Sequence, residues 1–370
     1  MTAHWTTKPL GDICEILDSK RKPVTKSDRK PGPFPYYGAT GILDYVADYI
    51  FDEKLILIGE DGAKWGAGEN TAFTAEGQYW VNNHAHVIRP RRSIVLDEWI
   101  VYYINANDQA PFITGLTVPK LNQAKLCEIP VPLPPLAEQK RIVAILDEAF
   151  AGIAAATANA EKNLANAREL FDKCLEAAFL DFGDGWIESR FGDCFRLRSG
   201  DGLTSKDMLD GPYPVFGGNG IAGTHSHFNL SGNNVIIGRV GALCGNVRNI
   251  KEDIWLTDNA FKIVDYQHEF DNAFLTYLLN FKDLRSYARQ TAQPVISNSS
   301  LKDVLLQFPR SLADQRHIAV RLDALSDKIE QLESVVQKKI STLAELKQAI
   351  LQKAFSGELT GIKTRHCEAA

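Results

Sequence analysis

The stretch LPPLAEQKRIVAILD, Leu133 to Asp147, decides how the rest of the chain is read. Two prolines close an extended segment, because proline fixes φ and biases the residue before it away from the helical region. A helical pattern then starts abruptly and runs on for about forty residues. The stretch returns in weakened form as FPRSLADQRHIAVRLD, Phe308 to Asp323, where Ala137, Gln139, Ile142 and Asp147 find their counterparts in Ala313, Gln315, Ile318 and Asp323. Gln139 and Gln315 are 176 residues apart, and the same spacing pairs Ala178-Phe179 with Ala354-Phe355 at the far ends of both helices. Two helices of matched length, each following a mixed globular region, indicate an internally duplicated protein.

The 370 residues suffice for two cored domains with extra elements. A net charge of −5 argues against nonspecific coating of nucleic acid but leaves room for local basic patches. Six cysteines (14, 127, 174, 194, 244 and 367) form no CxxC pair and read as reduced thiols. The first residues lack a signal-peptide apolar core, and no run of eighteen apolar residues occurs. A soluble, cytoplasmic protein with no membrane partner is expected.

Both halves open on a tryptophan, Trp5 and Trp186, followed by a Gly-Asp turn at 11–12 and 192–193. PFPYYGATGI (33–42) then matches GPYPVFGGNGI (211–221), and LILIGEDGAKWG (55–66) matches NVIIGRVGALCG (234–245). In the second pair an apolar strand enters a loop held by three glycines, residues that permit positive φ and close backbone approach. A further strand is expected at 79–88 and 254–263, a helix near 97–106 and 271–280, and an extended stretch at the end of each copy. The offset between copies drifts from 181 to 179, 175 and 176, which places insertions in loops. The expected architecture is α/β (mixed α+β): a globular domain at 1–132, a helical spacer at 133–182, a second globular domain at 183–308, a second spacer at 309–357 and a tail at 358–370.

The second spacer carries Leu322, Leu325, Ile329, Leu332, Val336, Leu343, Leu346 and Ile350 at steps of three and four, a coiled-coil seam that skips Lys339. The equivalent seam in the first is Leu146, Ala149, Ile153, Ala156, Ala160, Ala167, Leu170 and Cys174, skipping Asn163. Small residues against large ones suggest that the helices pack on each other, antiparallel, as a rod of about 60 Å. Such a pair would carry two similar heads related by an approximate two-fold axis, a caliper suited to a duplex with two recognition tracts.

In the first head, 18–30 is rich in basic residues, and Lys20, Arg21, Lys22 and Lys26 are candidate phosphate contacts. Arg196, Arg198 and Lys206 are the weaker counterparts in the second. Asn82, Asn83 and Asn259 are candidates for base edges, and Lys64 and Arg239, in equivalent Gly-rich loops, for base edges or phosphates. Tyr36 and Tyr37 read better as core. No P-loop or serine nucleophile elbow is present. His84-x-His86 and His225-x-His227 lack further ligands at metal spacing and read as turn and strand histidines. Phe216-Gly-Gly-Asn-Gly220 resembles the loop that binds S-adenosylmethionine in amino-methyltransferases, but no [DNS]-P-P-[YFW] motif accompanies it. No catalytic or metal residue is assigned.

Together these features resemble the specificity (S) subunit of Type I restriction–modification enzymes. PLPPLAEQKRIVAILD (132–147) lies close to the hallmark of that family's helical region, and its echo at 309–323 and GELTG (357–361) fit the same plan. The second copy has Arg310-Ser311 where the first has Pro134-Pro135, which leaves the helix start there less defined. The resemblance implies two target recognition domains that each read half of a split DNA site. It implies helices that set the unread gap and dock two methyltransferase (M) subunits. Cofactors would then lie on partners: S-adenosylmethionine on M, ATP and Mg on restriction (R) subunits. The chain itself would catalyse nothing. A methyltransferase with atypical motifs and a scaffold that binds no DNA are the competing readings.

Overall fold

The computed structural model describes residues 5–115, 117–180, 183, 185–289 and 294–360. Asp184, Gly361 of GELTG and the tail beyond it, with Cys367, lie outside these. The chain divides into two compact units, 1–160 with 337–370, and 161–336. Each unit therefore holds one globular head and half of each long helix.

The first head begins with β1 (Thr6–Pro9), α1 (Leu10–Ile13) and β2 (Cys14–Ile16), and continues through β3 (Phe34–Gly38), β4 (Gly41–Val46), β5 (Phe51–Asp52), β6 (Leu55–Gly59), β7 (Ala72–Ala75), β8 (Gln78–Val81) and β9 (Ala85–Pro90). It ends with α2 (Asp97–Ala106), α3 (Gln123–Glu128) and β10 (Pro130–Leu133), the last leading into the long helix α4 (Leu136–Leu180). One sheet has the order β2-β9-β6-β7, and a second has β4-β3-β8-β5 with β3 and β8 parallel. Every residue of LILIG in β6 is buried, because side chains alternate between two covered faces. Ile56, Ile58 and Ile88 meet Trp99, Ile100 and Ile104 of α2, whereas Leu55, Leu57 and Val87 meet Tyr79 and Val81 of the second sheet. β1 pairs with β10, so the head's two ends lie side by side.

The second head repeats this plan as β11 (Trp186–Arg190), α5 (Phe191–Cys194), β12 (Arg196–Ser199), β13 (Tyr213–Gly217), β14 (Gly220–His225), β15 (Asn234–Gly238), β16 (Val247–Ile250), β17 (Trp255–Leu256), β18 (Ala260–Val264), α6 (Asn272–Phe281), α7 (Asn298–Leu301), β19 (Leu305–Pro309) and the long helix α8 (Leu312–Ser356). Even the irregularities recur. The β3–β4 ladder slips between Tyr36 and Tyr37, and the β13–β14 ladder slips between Val215 and Phe216. The segment expected as one strand at 79–88, and again at 254–263, is two strands in different sheets. In the first copy Asn82 forces the break, its Oδ1 accepting the His84 amide at 2.8 Å; the Oγ1 of Thr257 takes the equivalent place.

Both long helices run for 45 residues, and α8 starts at Leu312 although its approach lacks the proline pair. The two starts are held alike, the Gln139 amide bonding the Pro135 carbonyl at 3.0 Å and the Gln315 amide the Ser311 carbonyl at 3.2 Å. In the first unit the helix segments lie antiparallel: Leu351 and Ala354 join Ile142 and Leu146 in one core, and Lys347 sits over the Phe150 ring. The second unit shows the same sense, with Arg168 paired to Glu333 and Ala178 lining one groove with Leu322. An alanine-rich window of α4 is long and apolar enough by composition to cross a membrane; in the fold it is the small-residue partner of this pair.

The seam differs from the expected one. Asn163 and Lys339 are exposed, and Leu164 and Ile340 turn inward instead. Two successive steps of four, 156-160-164 in α4 and 332-336-340 in α8, shift the stripe by one residue, the signature of a stutter. Leu170 and Leu346 consequently leave the seam and are 56% and 47% exposed.

The repeated glutamine is what ties head to helix. Gln139 and Gln315 are both fully buried. The Nε2 of Gln139 donates to the carbonyls of Ile94 and Pro134, and its Oε1 accepts the Leu96 amide. Gln315 makes the same three bonds to Glu269, Pro309 and Asp271. Tyr102 to Asp147 and Tyr277 to Asp323 add a second repeated bond. Gln139→Ala strands three buried main-chain groups and is expected to destabilise the first unit by about 3 kcal/mol, at roughly 1 kcal/mol per group. Hydrogen exchange should show loss of protection at 94–96 and 134–139 in that variant, and at 269–271 and 309–315 in Gln315→Ala. Tyr102→Phe, at a more exposed bond, should cost about 1 kcal/mol or less.

Candidate nucleic-acid interface

In the first head, residues 18–30 include two short turns, Asp18–Lys20 and Lys26–Asp28. Lys20, Lys22 and Lys26 are exposed, and their side chains make no hydrogen bond or ion pair among the described residues. Arg21, expected beside them, turns inward instead. Its guanidinium donates to Glu60 and to the Ala85 carbonyl at 2.8 Å, and lies 3.3 Å from Asp18. Lys120 holds Glu60 from the other side at 2.7 Å, and His86 lies between Asp18 at 2.5 Å and the Leu121 carbonyl at 2.7 Å. Burial pushes the Asp18 carboxyl up, but the bond and charge of His86, the Val87 amide and Arg21 outweigh it and hold the group below the usual range. Asp18, Glu60 and His86 approach one another closely enough to hold a metal. Arg21 already bridges Asp18 and Glu60, and Lys120 pairs with Glu60 from outside, so the group reads as an internal ion-pair cluster that shapes the loop.

Asn82 is likewise structural, 3% exposed and bound to its own turn. Asn83 is exposed at the tip of that turn. Lys64 projects from the Gly-rich loop, its side chain 81% exposed and only loosely paired with Glu69 at 3.8 Å. His84, in the turn between β8 and β9, bonds Asp61 of the Gly-rich loop after β6, and Tyr36 is core, as expected of both.

The second head presents the same loops with different contents. Arg198, Lys206 and Asn259 are exposed. Arg196 is not part of this surface; it folds back onto the Gly192 carbonyl at the opposite end of β12. Arg239 occupies the position of Glu60. Its Nη1 reaches the Ser199 hydroxyl and the Asp258 carbonyl, its guanidinium lies 5.4 Å from the centre of the Phe261 ring, and its Nε is buried without a partner. A cavity of about 670 Å³ opens here, lined by Gly217, Asn219, Gly220, Thr257, Asp258 and Asn259 among others. Asp201, beside Gly202 on its wall, stands where the first head has Lys22: the Lys22 amide bonds the Val81 carbonyl and the Asp201 amide the equivalent Leu256 carbonyl. The FGGNG loop thus helps wall an open, polar, backbone-rich depression, with amides, carbonyls and short polar side chains of the kind that meet base edges.

The family profile described as "Type I restriction modification DNA specificity domain" matches residues 3–164 and 183–341. A putative type I restriction enzyme specificity subunit of Haemophilus influenzae is 40% identical over 141 residues, 38% of this chain and 36% of that one. The EcoprrI specificity subunit of Escherichia coli is 29% identical over 214 residues, 56% and 53% of the two chains. The matched segments thus span about a third to a half of those relatives. Among solved structures, one titled for complex assembly and conformational transition of the type I R-M system shares the fold, with TM-score 0.74, 19% identity and 97% and 100% of the chains covered. The HsdS subunit of Thermoanaerobacter tengcongensis gives TM-score 0.57 at 19% identity over 96% and 97%. Matched in both halves, the chain belongs to the family of Type I restriction modification DNA specificity proteins.

Proposed function

We propose that this chain is the DNA-reading subunit of a Type I restriction–modification enzyme and carries no catalytic step itself. The observation that bears most weight is the duplication. Two heads share strand order, ladder slips and helix clamps, yet equivalent loop positions differ in side chain, as Lys22 and Asp201, or Glu60 and Arg239. Equal scaffolds with unequal reading surfaces suit a bipartite site whose halves differ in sequence. Within such a site the exposed Lys20, Lys22 and Lys26 contact phosphates, and Asn83, Lys64, Arg198, Lys206 and Asn259 lie where bases or backbone come within reach.

The long helices set the unread gap and dock two M subunits, with R subunits joining the assembly. S-adenosylmethionine acts on M, ATP and Mg on R, and the whole works in the cytoplasm on the chromosome. Ile142 is buried in the first unit's core, and Leu164, Phe171 and Ile340 are half-buried. Leu170 and Leu346, exposed and 176 residues apart, are the better docking candidates, one in each unit. Val335, 62% exposed, is another.

Methylation mapping of the source genome tests the reading: a bipartite motif lost on deletion of this chain supports it, and an unchanged methylome overturns it. Adding one heptad after Ala160 and after Val336 lengthens each helix by about 10 Å. The mapped gap should grow by about one to three base pairs with unchanged half-sites, given about 3.4 Å per pair and a turn of about 10.5 pairs.

Lys20, Lys22 and Lys26 changed together to Ala should weaken binding equally on cognate DNA and on DNA altered in either half-site. Arg21→Ala should behave differently, costing the first unit about 3 kcal/mol by leaving buried carboxylates short of a cation. The Asp18 contribution carries a definite sign. Its folded carboxyl lies below the unfolded value of about 3.9, so the stabilisation is present above that pH and is lost as pH falls through the folded value. Urea unfolding of wild type and Arg21→Ala between neutral and acid pH checks both.

A further inference from the structure

Two cations of the second head have no role in the site as described. Arg248 on β16 and Lys262 on β18 both lie opposite Ile236 of β15, and Arg198 of β12 lies opposite Lys262. Residues opposite one another across a ladder share a sheet face. Arg198, Lys262, Ile236 and Arg248 therefore form one row across the four-stranded sheet. Arg198 is exposed and the other two cations are partly buried, and none of the three side chains has a hydrogen-bond or ion-pair partner among the described residues.

The first head shows what the fold alone requires of this row. The same positions there hold Leu17, Val87, Leu57 and Phe73, joined in the same ladders and packed between the two sheets. Replacing apolar residues with three cations is unfavourable twice over. Like charges directly opposite destabilise a ladder, and a half-buried cation without a partner loses hydration that nothing restores. Burial accordingly pulls the Arg248 guanidinium below the usual arginine range. Position gives the compensation a direction. A methyl group built on Gly220 would lie 3.4 Å from Nη2 of Arg248, which puts the guanidinium beside the cavity that Gly220 lines.

We propose that Arg198, Lys262 and Arg248 form a phosphate-binding row, holding the backbone of the DNA strand whose bases face the adjacent cavity. The proposal rests on the DNA-reading function above. Ile236 within the row is buried in the core between the sheets, so the phosphates meet the cations at the row's margins, Arg198 with Lys262 on one side and Arg248 beside Gly220 on the other. The first head has no cation at these positions, so this hold is confined to the second half-site, and the first relies on its lysine loop instead.

The test measures dissociation constants of the full chain, assembled with its M subunit, on DNA carrying the mapped site over a salt series. The variants are Arg248→Gln with Lys262→Gln, and Arg248→Leu with Lys262→Val, the second approaching the apolar row of the first head. Both should flatten the slope of log K against log salt by roughly two, at about 0.9 per lost phosphate contact, and weaken binding roughly ten- to thirty-fold near 0.15 M salt. The loss should be the same on probes altered in either half-site. Without DNA, Arg248→Leu with Lys262→Val should melt at or above the wild-type temperature. A wild-type slope in the variants, with wild type binding DNA, overturns the row alone. A lowered melting temperature in the apolar variant overturns it too, by making the cations structural. Failure of the wild-type assembly to bind the site would remove the DNA-reading function and the row with it.

Discussion

The structure depends on one buried amide, used twice. Gln139 and Gln315 each satisfy three main-chain groups at the joint between a head and its helix, where two chain segments meet and neither can complete a regular ladder. A side chain carrying both a donor and an acceptor, held in place by the helix, solves that joint with one residue. The bond fixes direction as well as energy. A head that pivoted on its helix would break these bonds, and a glutamine bonded on both sides of its amide has one orientation only.

Within that shared frame the heads have moved apart in chemistry rather than shape. The first packs carboxylates and cations into a closed cluster around Glu60 and leaves its free charge on a lysine loop. The second puts Arg239 at the position of Glu60, has Asp201 in place of Lys22, and carries its surplus cations on a sheet face. Both arrangements leave the backbone unchanged, because the ladders set strand positions whatever the side chains do. Such a scaffold can change what it contacts without changing how it folds.

Much of this was legible in the sequence. The two long helices were, because a proline pair marks the start of the first and the repeat carries the reading to the second. The two-head plan followed from the same repeat. Less visible were features set by tertiary geometry. Asn82 looks like a base reader until its turn is seen to divide one apparent strand between two sheets. Arg21 sits among three exposed lysines in the sequence, and only the fold brings Asp18, Glu60 and His86 around it. The seam was misplaced by one residue after Ala160 and Val336, because a strict heptad count passes over a stutter. Arg248 and Lys262 were missed since single cations in a strand resemble its solvent side. Their alignment with Phe73 and Val87 was the available signal.

The division into units reverses the order in which the molecule can be completed during synthesis. Residues 161–336 are contiguous, so the second unit has all its parts once Val336 has left the ribosome. The first unit must wait longer, although its head is made first. Leu351 and Ala354 belong to its core, and Phe355 packs edge-on against Trp99. Until the last helix emerges, Trp99 lacks that ring and the first head keeps an uncovered apolar side. Transient apolar surface of this kind is what makes nascent chains prone to aggregate. The half of the protein translated earliest is therefore the half that stays unfinished longest.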